Sequence, residues 1–183
     1  VLSWRGDTLL YAEDAVAVVD LDIPNETYQC ADVAMRLWAE YLWSQNRQDE
    51  IRFTSLAGAP LVWKGGNRNG FVKYLNRVMA YCNTSSMARD YRTVHPDSLL
   101  PGDMYIQPDP SGRGGIGHLS IIFDVAVNDE GQKLHLFGYG FMPAQDLHIV
   151  RPNENEGVGD WFTLEGYENY SRVFGKGQYH RFE

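Results

Sequence analysis

Apolar residues recur at Cys30, Val33, Ala34, Leu37, Tyr41 and Leu42, three and four apart, which is the spacing of one helical face. The pattern predicts an amphipathic helix over 28–42 that runs on to about Gln45. Asp32, Arg36 and Glu40 fall four apart on the other face, where opposite charges support each other. Pro24-Asn25-Glu26-Thr27 reads as a start signal, because Asn25 can cap and Glu26 suits the positive end of the helix dipole. Phe71, Tyr74, Leu75 and Val78 form the buried stripe of a second helix over 71–81, closed by Cys82, and 85–91 suits a short third helix.

Alternating and β-branched runs predict strands at 9–11, 15–21, 51–54, 104–107, 118–127, 133–141 and 147–150. The strongest is His118–Val127, and Asn128-Asp129-Glu130-Gly131 turns it back onto its partner. With the turn centred on Asp129-Glu130, Val127 pairs with Gln132, Ser120 faces Tyr139 and His118 faces Phe141. The tail from Arg151 reads as loop-rich, with Trp161-Phe162 and Tyr179-His180-Arg181-Phe182 as packing anchors. This predicts an α+β chain, one domain over 1–183, with its core at about 9–150 and an extension over 151–183.

With 183 residues the chain can bury a core without disulfides or metal. A net charge of -8 and the lack of any Lys/Arg run exclude a nucleic-acid role. No apolar run approaches a membrane span. No segment reads as a signal peptide, and the chain opens at Val1 as though cut from something longer, so the compartment stays open. There is no Cys-x-x-Cys pair and the histidines are scattered, so neither a metal nor a cofactor is expected. Cys30 and Cys82 are not expected to bond each other.

Cys30 lies near a helix start, where free backbone N–H groups stabilise a thiolate. The rival reading is a buried cysteine acting as a small hydrophobe. A cysteine helix followed by an antiparallel sheet is the order of a papain-like fold, in which a histidine at a strand start reaches the sulfur. His118 fits that place, after the glycines at 114, 115 and 117. Tyr139 shares its face and could orient the imidazole, and Gln145 past the strand end is a second candidate. Trp63, in a Gly-rich loop, and Trp161 are candidate substrate-binding aromatics, against a rival reading in which Trp63 folds back on the core.

Pro101-Gly102-Asp103-Met104-Tyr105-Ile106 followed by Gly117-His118-Leu119-Ser120-Ile121-Ile122 resembles the Pro-Gly-Asp…His-Val-Gly-Ile segment of NlpC-like cell-wall cysteine peptidases. More closely, Gln29-Cys30-Ala31-Asp32, Met35–Leu42, Gly117-His118 and Phe141–Ile149 resemble an uncharacterised bacterial family of envelope lipoproteins within that papain-like group. The resemblance implies a nucleophile at Cys30, a general base at His118 and an exported, envelope location. The third position, usually His, Asn or Gln, falls on Tyr139, and Cys30 is followed by Ala-Asp where those peptidases carry Ser-Gly. The expected function is a thiol hydrolase cleaving an amide in a peptide or cell-wall fragment, with Gln29 beside the Cys30 N–H at the oxyanion. The alternative is an inactive envelope domain that binds peptide or glycan.

Overall fold

The computed structural model describes residues 1–9, 14–109, 111 and 117–183. Residues 10 and 11 of the expected first strand, and residues 112–116 of the glycine loop, lie outside the described residues. In chain order the elements are β1 (Ala15–Val19), α1 (Cys30–Ser44), β2 (Arg52–Thr54), β3 (Pro60–Val62), α2 (Arg68–Tyr81), α3 (Thr84–Asp90), β4 (Arg92–Thr93), β5 (Met104–Gln107), β6 (His118–Val127), β7 (Lys133–Tyr139), β8 (Leu147–Val150), β9 (Gly157–Val158), β10 (Trp161–Phe162), α4 (Leu164–Tyr170) and β11 (Gln178–Arg181). The class is α+β. The main sheet runs β1-β8-β7-β6-β5-β11-β4 with every pairing among the described strands antiparallel. β2 and β3 form a separate hairpin.

Strand alternation sorts the core into two layers. Leu119 and Ile121 of β6 join the cluster under α1, with Ala31, Ala34, Met35 and Ala39. Ile122 of β6 joins the opposite cluster with Phe137, Tyr139 and Tyr167, and Ser120 faces the same way, taking the Tyr167 hydroxyl. Alanines along the buried stripe of α1 leave room for the helix to lie close on β6 and β7. Gly140 completes the fit: a Cβ there would stand 2.8 Å from Val33 Cγ2.

α1 starts at Cys30, two residues later than its apolar spacing suggests. That shift makes Asp32 the third helical residue, where its carboxylate accepts a 3.0 Å hydrogen bond from the Gln29 N–H. Asp32 is therefore buried, not on the outer face. The expected charge ladder does not form: Arg36 donates to the Asp22 carbonyl and Glu40 pairs with Arg68. α2 likewise starts earlier than expected, at Arg68, because the Asn67 side chain caps it through the Gly70 N–H.

The β6–β7 hairpin differs from expectation at its tip. Asn128–Gln132 forms a five-residue loop, so Val127 pairs with Lys133 rather than Gln132. A bulge between Ile122 and Asp124 absorbs the extra residue, and Ile121 pairs with Gly138. At Ile121 and Gly138 the pairing has the offset that the sequence predicts.

The tail is a correction to the expected loop-rich extension. It supplies β9, β10, α4 and β11, and β11 lies inside the sheet between β5 and β4. Arg181 of β11 makes a bidentate bond to Asp103, at 2.6 and 2.7 Å, and Asp103 also takes the Leu100 N–H. The Pro101-Gly102-Asp103 turn is thus held by the chain's last strand. Its sequence hid this because four residues are too few for a clear alternation signal. Among the described residues no helix is long and apolar enough to cross a membrane.

Candidate functional site

Cys30 is the first residue of α1, so its side chain sits among backbone N–H groups that have no helical partner. It lines an open cavity of about 910 Å³. Gln29, Asp32 and Cys82 line it too, with Trp4, Phe141 and Gly117 completing much of the wall. Burial pushes the Cys30 thiol up to about 11. The nearby backbone N–H groups of Leu119, Ala31 and Cys30 itself favour the ionised sulfur and oppose that rise, while the Asp32 charge adds to it. The burial effect wins: the resting sulfur is a thiol, although the N–H groups near it are those a thiolate uses.

Leu119 follows His118 directly, so the sulfur lies beside the start of β6. The His118 ring leaves toward the other layer. It stacks on Phe174 at 4.2 Å and meets Tyr139 and Phe141 edge-on at 4.6 and 5.5 Å. It is fully buried, and neither ring nitrogen has a hydrogen-bond partner among the described residues. No hydrogen bond therefore joins the His118 ring to Cys30. Burial, with a smaller effect from His148, holds the imidazole down to about 3.

Neither candidate third residue bonds this ring. The Tyr139 hydroxyl lies 3.1 Å from that of Tyr170, so it does not orient the imidazole by a hydrogen bond. Gln145 is buried, with its amide nitrogen 3.5 Å from His148 Nδ1. His148 thus takes the neighbour expected for His118, because β8 brings it opposite Tyr139. Gln29 stands where expected, beside Cys30 on the cavity wall.

The two candidate binding aromatics lie away from this cavity. Trp63 is buried in a cluster with Trp43, Phe71 and Tyr74. The Gly65-Gly66 turn, with φ of +81° and +134°, lets the chain fold this ring inward. Trp161 sits half-buried in β10, paired with Val158. The cavity's aromatic walls come instead from Trp4, with Arg5 over its ring at 4.7 Å, and from Phe141.

Asp32 is the group that pattern reading missed. It is buried on the cavity wall, two residues from Cys30, and burial pushes its carboxyl up to about 7 against the Gln29 and Asp32 N–H donors. The signal that could have found it was its place three residues after a cap at Gln29. Cys82 is also free, and its sulfur donates to the Thr54 carbonyl at 3.4 Å. Burial pushes that thiol to about 11 as well. Among the described residues no group of three or more His, Cys, Asp or Glu is gathered to hold a metal.

A family model described as a domain of unknown function (4846) matches residues 1–69 and 60–175. No curated protein and no solved structure matches the chain.

Proposed function

We propose, for a chain that belongs to the family described as domain of unknown function (4846), that it is a thiol hydrolase acting on an amide bond through Cys30. The observation that carries this reading is the seat of the sulfur: the first residue of α1, on a large open cavity, with backbone N–H groups of two elements close by. Such groups stabilise a thiolate, and the same N–H groups at a helix start suit the oxyanion of an attacked carbonyl. Gln29 lies beside them.

In this reading the Cys30 sulfur attacks the amide carbonyl carbon, the amine leaves with a proton, and water hydrolyses the thioester to the acid and the free thiol. The resemblance gives the proton-handling role to His118, whose ring would first have to leave its stack on Phe174. The papain-like, NlpC-like fold, the envelope location and the cell-wall peptide substrate rest on the same resemblance. Soluble cell-wall stem peptides incubated with the protein test the function, with products read by mass spectrometry. Cleavage by wild type and its loss in Cys30→Ala is the expected result. Equal product yields from both proteins overturn it.

A second reading is a binding domain for peptide or glycan without turnover. Its support is the protonated thiol together with the unbonded His118 ring. It predicts no cleavage, and stem-peptide binding that survives Cys30→Ala.

A further inference from the structure

The hydrolase reading needs a group that takes the thiol proton within the cavity. Asp32 is placed for it. It lies one residue beyond Ala31 in the first turn of α1, shares the cavity wall with Cys30, and is more than nine-tenths buried. One oxygen is fixed by the Gln29 N–H. No Lys, Arg or His forms an ion pair with it among the described residues. A buried carboxylate without a cation is costly, and a proton removes the cost.

We propose that Asp32 is the proton partner of Cys30: thiol and carboxyl share one negative charge across the cavity, and the carboxylate takes the sulfur's proton when the thiolate forms. The inference rests on Cys30 being the nucleophile. The S–H bond breaks and its proton passes to Asp32. The sulfur then bonds the carbonyl carbon, the C–N bond breaks, and the leaving amine takes the proton back from the carboxylic acid. In the second half water bonds the carbonyl carbon and the C–S bond breaks. Water's proton, handed through Asp32, restores the thiol. His118 needs no movement in this scheme.

Other charged groups face the same space. They are Arg5 and Asp7 from the N-terminal segment, Glu26 from the loop before α1, and Cys82 at the end of α2. Tyr28 feels the Asp32 charge from the layer of α1. Arg5 is exposed and lies over Trp4, and the buried ionisable members of the wall are Cys30, Asp32 and Cys82.

Coupling of this kind has a distinct pH signature. Below about pH 7 both groups hold protons, and the thiolate population rises about tenfold per pH unit. Above about pH 7 one proton is gone, and thiolate-with-acid and thiol-with-carboxylate interconvert at a ratio that pH does not change. The doubly ionised form then adds thiolate tenfold per pH unit toward a thiol near about 11, so the level stretch is as wide as the coupling between the two groups. Asp32→Asn keeps an acceptor for the Gln29 N–H and removes the titration, while Asp32→Glu keeps a titrating carboxyl.

The experiment is the rate of iodoacetamide labelling at Cys30, read by mass spectrometry of its peptide from about pH 6 to about pH 9.5. Wild type and Asp32→Glu are expected to show a break in the rise at the carboxyl's titration. Asp32→Asn is expected to match wild type near pH 6 and to run ahead of it above the carboxyl's titration, by a constant factor equal to the coupling between the two groups. Superimposed profiles of wild type and Asp32→Asn, both rising steadily, overturn the inference alone. Failure of Cys30 to label across the whole range overturns the nucleophile assignment together with it.

Discussion

His118 and His135 are each fully enclosed by protein, and both are held neutral by burial, down to about 3 and about 4. Lys133 adds to the effect at His135. In the unfolded chain a histidine titrates near about 6.5. Between that value and the folded ones the unfolded chain binds protons that the folded chain refuses, so stability is full above about pH 6.5 and falls with acid. Asp32 acts in the opposite sense, since its folded carboxyl keeps its proton up to about 7. Two histidines outweigh one carboxyl, and the net slope runs toward loss in acid. Urea midpoints should therefore drop steadily from about pH 6.5 to about pH 4.5. A midpoint that is flat or rises over that range would contradict the assigned burial of these rings. The two residues at the heart of the candidate site differ in how visible they were. Cys30 stands out by its type and by the start signal before it. The orientation of His118 does not, because a strand start leaves the sheet face of a single residue unspecified until its neighbours are placed. Asp32 was hidden by a helix start displaced by two residues, which turns an outer charge into a buried cap.

At the scale of elements, the position of α1 on the sheet decides where the sulfur sits. Val33 packs on Gly140, just past the end of β7, and the Gln29 carbonyl lies 3.6 Å from the same ideal Cβ. Gly140 has no need of a left-handed backbone; its value is the space it leaves. Gly140→Ala would set a methyl 2.8 Å from Val33 Cγ2 and press on the first turn of α1. Overpacking of this kind costs about 1–3 kcal/mol. The expected outcome is a lower melting temperature with a changed Cys30 labelling rate and an unchanged Cys82 rate. A variant with wild-type stability and wild-type labelling at both cysteines would show that the α1–sheet contact does not set the site. The elements themselves were largely legible: the strand runs at 104–107, 118–127 and 147–150 fall where their periods put them, but the α1 stripe misses at Tyr41, which is exposed while Met35 and Ala39 are buried. The hairpin register shows the limit. The turn length was misjudged by one residue, and a bulge that no periodicity announces restored the pairing beside the site.

Across the whole molecule, the two ends of the chain converge on the frame that holds the cavity. Ser3 bridges to Gln145, the Trp4 N–H donates to the Ala144 carbonyl, and Trp4 becomes a cavity wall. From the other end, Arg181 neutralises Asp103, which is only 1% exposed, and so ties β11 to the turn that opens β5. Contacts between residues about a hundred apart cannot be read from local pattern, which is why the tail looked like an appendage and the wall aromatics were sought in the wrong loops. What the assembled frame presents is a cysteine at a helix start facing an open cavity, and the central claim is that this sulfur carries an acyl group during turnover. The direct measurement is the intact mass of the protein, quenched in acid within seconds of mixing with an activated acyl ester, followed by peptide mapping. The account predicts one added acyl group, located on Cys30, released by hydroxylamine and absent in Cys30→Ala. An acyl group found elsewhere, or equally in Cys30→Ala, would contradict it.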